Sequence, residues 1–144
     1  MTAKQYLSRV PALRRQIASL EQQIEYLTTK AAGVKGVTYD ADKVVVSPEN
    51  TLEQAMVEVA EMTNKFNDRV LKYSRLVLRI EKQINGMDNP DHVELLTLRY
   101  LTTDKRGKQL TFDRIAVMMH RSFERTCHIH GEALAAFQKK YLEK

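Results

Sequence analysis

Apolar residues recur every three or four positions along most of the chain, with polar residues between them, and that is the period of one buried helix face rather than of a strand. Val10, Leu13, Ile17, Leu20, Ile24 and Leu27 form the first such stripe, with the alternating spacing of a heptad seam. It predicts a helix from about Ala3 to Ala31, with Pro11 either opening or kinking it and Gly33 and Gly36 ending it. A longer stripe follows in Met56, Val59, Thr63, Phe66, Val70, Tyr73, Val77, Ile80, Ile84 and Met87, and predicts a second helix from about Thr51 to Asn85. Ser47-Pro48 leads into it, and Thr51 with Glu53 and Gln54 resembles a capping box. Between the helices, residues 33–50 change pattern: Val37, Tyr39 and Val44 to Val46 around Asp40-Ala41-Asp42 read as a short hairpin or extended loop. Neither helix can bury so long a stripe alone, so an antiparallel helical hairpin, an intermolecular coiled coil, or both are expected.

Asn85-Gly86 and Asp88-Asn89-Pro90 form a strong breaker cluster. The cluster divides a helical segment, 1–86 with its 33–50 insertion, from a small C-terminal domain, 91–144. In that domain Val93, Leu96 and Tyr100, widened by Leu95, Leu98 and Leu101, mark a short and largely buried helix. A polar, basic loop containing Gly107 comes next. Thr111 is placed to cap a helix whose inward residues are Phe112, Ile115, Ala116 and Met119. Ser122 is placed to cap a final helix, with Thr126 or Cys127, Ile129, Ala133, Leu134 and Phe137 turned inward. Only His120 and Arg121 separate the two, the short connection that a helix-turn-helix requires. The expected fold is all-α.

Charge sharpens this picture. The 144 residues carry a formal net charge of +5, and from Asp104 onward nine basic residues face five acidic ones, so most of the excess sits in the C-terminal domain, as suits a polyanionic partner. The single cysteine, Cys127, has no internal partner for a disulfide, and no apolar run has signal-peptide or membrane-span length. A soluble protein of the bacterial cytoplasm, with no membrane contact, is the expectation.

The run TFDRIAVMMHRSFERTCHIHGEALAAF, residues 111–137, resembles the fourth region of primary bacterial sigma factors, which reads the −35 promoter element. Cap, Ile115-Ala116, Ser122, Glu124-Arg125, Ile129, Ala133-Leu134 and Phe137 follow that pattern without a gap. The whole-chain layout is similar to phage-encoded regulators of late or packaging genes of the ArpU and RinA type. The resemblance implies a helix-turn-helix domain on double-stranded DNA, with Phe123, Glu124, Arg125, Cys127 and His128 facing the bases. By general chemistry Arg125 can pair with guanine, Glu124 can accept from cytosine, and Phe123 can pack on a thymine methyl. Phe123 is equally well suited to staple the helix to its predecessor. Lys105, Arg106, Lys108, Thr111, Arg114, Arg121 and Ser122 are the candidate phosphate contacts. Phe123 and Cys127 stand where sigma factors carry arginines, so promoter-element specificity does not transfer.

Other chemistry finds less support. Cys127, His128, His130 and His120 include zinc-ligand types, but adjacent helical residues point about 100° apart and no second cysteine exists, so no metal or cofactor is expected. No phosphate-cradling glycine loop, nucleophile elbow or zinc-protease motif occurs, which argues against an enzyme. The reading is therefore a sequence-specific DNA-binding transcriptional regulator, a homo-oligomer (dimer or higher) through its N-terminal helices, with RNA polymerase as a second candidate partner. Its rivals are a small terminase-like packaging component, and a coiled-coil adaptor that binds RNA polymerase or a sigma factor without touching DNA.

Overall fold

The computed structural model describes the backbone of residues 1–36 and 48–143 and the side chains of residues 1–30 and 52–143. Helix α1, Ala3–Leu7, opens on a capping box in which the Thr2 hydroxyl accepts the Gln5 N–H and the Gln5 side chain accepts the Thr2 N–H. It stops after five residues, and α2 runs from Arg9 to Gly36. The single helix expected from Ala3 is thus interrupted at Ser8, because Pro11 has no N–H to offer the Leu7 carbonyl and its ring crowds that oxygen. At its other end α2 runs through Gly33 to Gly36, past the stop expected near Ala31.

Helix α3 spans Pro48–Asn85, three residues longer at its start than expected, with Pro48 in the first helical position, where a missing N–H costs nothing. The hairpin or loop expected between Val37 and Val46 lies outside the described residues. Helix α4, Pro90–Leu96, is capped by Asn89, whose side chain accepts the Asp91 N–H at 2.9 Å, and it runs into a wide π turn at Thr97–Leu101. Helices α5, Phe112–Met118, and α6, Phe123–Phe137, follow, and α6 ends in a second π turn at Gln138–Leu142. The fold is all-α, and among the described residues β pairing is confined to an isolated bridge between Thr103 and Gln109.

The chain divides into two compact units, Met1–Leu13 with Tyr73–Lys144, and Arg14–Lys72. In the second unit, Ile17, Leu20, Ile24 and Leu27 of α2 and Val59, Thr63, Phe66 and Val70 of α3 are half-buried, as expected of a stripe facing one neighbouring helix. Gln22, Gln23, Tyr26 and Leu27 line one groove of about 370 Å³ with Glu58, Glu61 and Met62. Met56, expected in the stripe, is 59% exposed, and the adjacent Ala55 is buried in its place. The stripe departs from the expectation at this first position alone, because Val59 and Thr63 keep their expected places, and Met62 widens the half-buried face.

The first unit holds the main core. Leu7 and Val10 meet Leu76, Ile80, Ile84, Leu95, Leu96, Tyr100, Ile115, Ile129, Ala133 and Phe137 in one buried cluster. Truncating a fully buried residue of this kind, Phe137 for example, costs about 3–5 kcal/mol. The N-terminus is tied to the end of α6. Gln138 Oε1 accepts the Ala3 N–H at 2.5 Å, the Tyr6 and Phe137 rings sit 5.8 Å apart, and the Tyr6 hydroxyl reaches Gln83 at 2.8 Å. Tyr141 donates to the Gln83 carbonyl at 2.6 Å and packs on Phe137, and Lys140 reaches the Gly86 carbonyl. These contacts hold the C-terminal half of α6, and α4 and α5 pack against the rest of the helix.

Candidate nucleic-acid interface

The connection from α5 to α6 is set by backbone hydrogen bonds. The Thr111 hydroxyl accepts the Arg114 N–H and starts α5, which buries Ile115, Ala116 and Met119 and leaves Phe112 half-buried. At its end, the Arg121 N–H bonds to the Ala116 carbonyl at 2.9 Å and the His120 N–H to the Val117 carbonyl at 3.2 Å. This is a Schellman closure, and it places His120 in the left-handed region at φ 55°. Ser122 then takes an extended conformation and caps α6, its hydroxyl accepting the Arg125 N–H at 3.1 Å. Thr126 is wholly buried and donates its hydroxyl proton to the Ser122 carbonyl at 2.8 Å, which bonds the first turn of α6 to its own cap.

Helix α6 has two faces. Thr126, Ile129, Ala133 and Phe137 are buried against α4 and α5, and of the alternatives Thr126 and Cys127 it is Thr126 that turns inward. Phe123, Glu124, Arg125, Cys127 and His128 are all exposed, as are Gly131, Glu132 and Ala135 along the same surface. Phe123 is 51% exposed, open to a ligand over about half of its surface. The first two turns thus present one aromatic ring, one carboxylate, one guanidinium, a thiol and an imidazole to solvent on a well-capped helix.

The seven candidate phosphate contacts are exposed too. Lys105, Arg106 and Lys108 sit on a tight turn organised by Asp104, whose carboxylate accepts the Arg106 and Lys108 N–H groups at 2.8 and 2.9 Å. These bonds, chiefly that from Lys108, together with the charges of Arg114 and Lys108, hold the Asp104 carboxyl below its usual pKa. Gly107, at φ 77°, supplies the left-handed residue that the turn needs. The turn is fastened to the domain through Gln109, which donates to the Arg99 carbonyl at 3.0 Å, and through the Arg99 guanidinium, which donates to the Leu110 carbonyl at 2.5 Å. Three cations are therefore held on an ordered loop that leads directly into α5.

Two candidates carry partners that sequence reasoning missed. Arg121 pairs with Asp91 at 3.0 Å, tying the turn to the start of α4, so its charge is shared before any ligand arrives. His128 pairs with Glu132 one turn along α6 at 2.8 Å, and His92 of α4 approaches the same carboxylate at 3.8 Å. The i, i+4 spacing of His128 and Glu132 was a readable signal, whereas the approaches of Asp91 and His92 depend on tertiary packing. Val117 and Met118 at the end of α5 are 74% and 47% exposed, large apolar groups beside the turn that the inward pattern of α5 does not use.

Behind this surface, His130 lies on the half-buried flank of α6, 2.8 Å from the Tyr100 hydroxyl and edge-on to Phe112 at 4.8 Å. Burial, with help from Arg99 and Lys4, lowers its pKa to about 4, so it is neutral at pH 7. Burial also raises the Tyr100 hydroxyl above its ordinary value. Among the described residues no group of three or more His, Cys, Asp or Glu side chains is placed to hold a metal ion, and no helix is long and apolar enough to cross a membrane.

Comparisons with protein-family models, with curated proteins and with solved structures return no significant match.

Proposed function

We propose that this chain is a sequence-specific DNA-binding transcriptional regulator of phage type, which lays the first turns of α6 in the major groove as the recognition helix of a helix-turn-helix. The observation that carries the reading is the exposed start of α6: Phe123, Glu124, Arg125, Cys127 and His128 all face solvent directly after a Schellman turn and a serine cap. A recognition helix needs this construction, because its N-terminal side chains must clear the body of the domain and its first N–H groups must be free to approach a phosphate. Arg125 is the side chain best suited to a bidentate contact with guanine, and Glu124 beside it can accept from a cytosine amine.

The phosphate contacts divide by environment. Lys105, Arg106 and Lys108 carry no ion pair among the described residues and serve as the main backbone clamp, with Arg114 on the first turn of α5. Arg121 contributes less, since any phosphate must share it with Asp91. Helices α2 and α3, paired as an antiparallel hairpin, carry the oligomerisation function that lets a small module read repeated half-sites.

Fluorescence anisotropy with labelled duplexes tests this directly. Binding weakens with salt at a log–log slope of about 0.9 per phosphate neutralised. The double substitution Lys105→Ala and Lys108→Ala lowers affinity for all sequences alike and reduces that slope by about 2. Absence of duplex binding at low salt would refute the proposal. In that event Val117 and Met118, apolar and open beside the turn, favour the second reading, an adaptor that docks on RNA polymerase or a sigma factor through α5.

A further inference from the structure

The basic loop ahead of α5 is a miniature hairpin. Thr103 and Gln109 pair antiparallel at its base, the Asp104 N–H bonds to the Lys108 carbonyl at 2.8 Å, and the Gly107 N–H closes the turn on the Asp104 carbonyl at 3.0 Å. Lys105 and Arg106 are therefore the two corner residues. Residues 105–108 are exposed, and a Cβ added at Gly107 would meet nothing within 4 Å, so the tip stands clear of the domain. Its foot is rooted: Leu110 is buried, and Arg99, bonded to the Leu110 carbonyl, lies over the Phe112 ring at 4.3 Å.

The tip is thus narrow, cationic and fixed before any ligand arrives. Paired strands lie about 4.8 Å apart, and the minor groove of B-DNA is about 6 Å wide. A tip of this width can lower one corner side chain between the strands of a duplex while its neighbours reach the phosphates on either side. Its place in the fold suits that task. The hairpin leads straight into α5, the first helix of the proposed helix-turn-helix, and such a helix crosses the sugar–phosphate backbone when its successor is seated in the major groove. Across that backbone lies the adjoining minor groove.

We infer that the hairpin is a second DNA-reading element, with Arg106 in the minor groove beside the site of α6 and Lys105 and Lys108 on the phosphates that line it. The inference rests on the DNA-binding reading and divides the phosphate clamp by chemistry. A guanidinium is more weakly hydrated than an ammonium and gives up its water more readily, so Arg106 is the corner residue suited to the confined groove. Narrow A·T-rich grooves concentrate negative potential and attract arginine. Their floor offers the acceptors adenine N3 and thymine O2, whereas a G·C pair adds the guanine amino group, a donor that faces the guanidinium with its own sign. The ligand assigned to the hairpin is accordingly an A·T-rich flank, centred about half a helical turn, roughly five base pairs, from the middle of the α6 site.

Fluorescence anisotropy at physiological salt tests this with the full chain, under reducing conditions because Cys127 is exposed. The probes are duplexes carrying the motif that the wild type selects from a random library, with the flanking pairs made all A·T, all G·C, or all inosine·cytosine. Inosine lacks the guanine amino group, so its pair keeps the major-groove face of G·C but shows the minor-groove face of A·T. The wild type should bind the A·T flank about tenfold more tightly than the G·C flank, with the inosine duplex within about twofold of A·T. Arg106→Lys keeps the charge on an exposed tip and should lower the A·T preference to about twofold or less while retaining the motif. Equal binding to all flanks by the wild type, an inosine duplex that behaves like G·C, or an Arg106→Lys variant with undiminished preference would each overturn the hairpin's role and leave the DNA reading standing. A chain that binds no duplex would overturn both.

Discussion

Lowering the pH from 7 towards 4 puts a proton on His130 of the unfolded chain well before the folded chain accepts one. The folded value of about 4 lies below the ordinary 6.5, because the ring is packed between Tyr100 and Phe112 near the guanidinium of Arg99. In the interval between these values the unfolded state binds more protons, so stability falls as pH falls. The loss begins near pH 6.5 and levels off below about 4. At 1.36 kcal/mol per pH unit the full interval corresponds to about 3 kcal/mol, a large part of the total stability of a small domain. Urea unfolding followed by circular dichroism at a series of pH values from 7 to 4, on the wild type and on His130→Gln, isolates this contribution. Glutamine keeps a hydrogen-bonding partner for Tyr100 but does not titrate, so the variant should lose about 2–3 kcal/mol less on acidification. Equal losses in the two proteins would refute the assignment of a neutral, buried imidazole beneath α6.

Three further substitutions test the local construction. His120→Gly should stabilise the chain by about 0.5–1 kcal/mol in urea unfolding, because glycine adopts the left-handed turn without the steric cost borne by histidine. Ser122→Ala should cost about 1 kcal/mol and increase amide exchange in the first turn of α6, where the serine hydroxyl now holds the Arg125 N–H. Gly86→Ala should cost about 1 kcal/mol, because the new Cβ would fall 2.7 Å from the Tyr141 hydroxyl and displace it from the Gln83 carbonyl; an unchanged denaturation midpoint would show that Tyr141 yields freely.

The C-terminal elements were legible because local signals agreed with one another. Thr111 and Ser122 cap the helices that they were expected to cap, and Ile115, Ala116, Met119, Ile129, Ala133 and Phe137 point inward as their spacing required. The exposure of the five side chains at the start of α6 follows from the same periodicity. What stayed hidden depends on tertiary contact or on backbone detail. No local pattern announces that Ala3 and Tyr6 pack on the end of α6, since the residues concerned lie at opposite ends of the chain. The break at Ser8 was visible only as a choice between opening and kinking at Pro11. Gly33 carries no helix stop in itself, because glycine weakens a helix interior without forbidding it, and α2 ends at Gly36. Met56 and Ala55 show the limit of heptad reading: either fits a three-four pattern, and it is the smaller one that is buried.

The central claim is that the exposed first turn of α6 reads base pairs, and selection from a random duplex library at physiological salt, run in parallel on the wild type and Arg125→Ala, addresses it most directly. The wild type should enrich a motif, and the variant should lose preference at one base pair of that motif by about 1–3 kcal/mol while keeping the rest. Enrichment of no motif by the wild type, or the same motif with undiminished preference at every position from the variant, would contradict it.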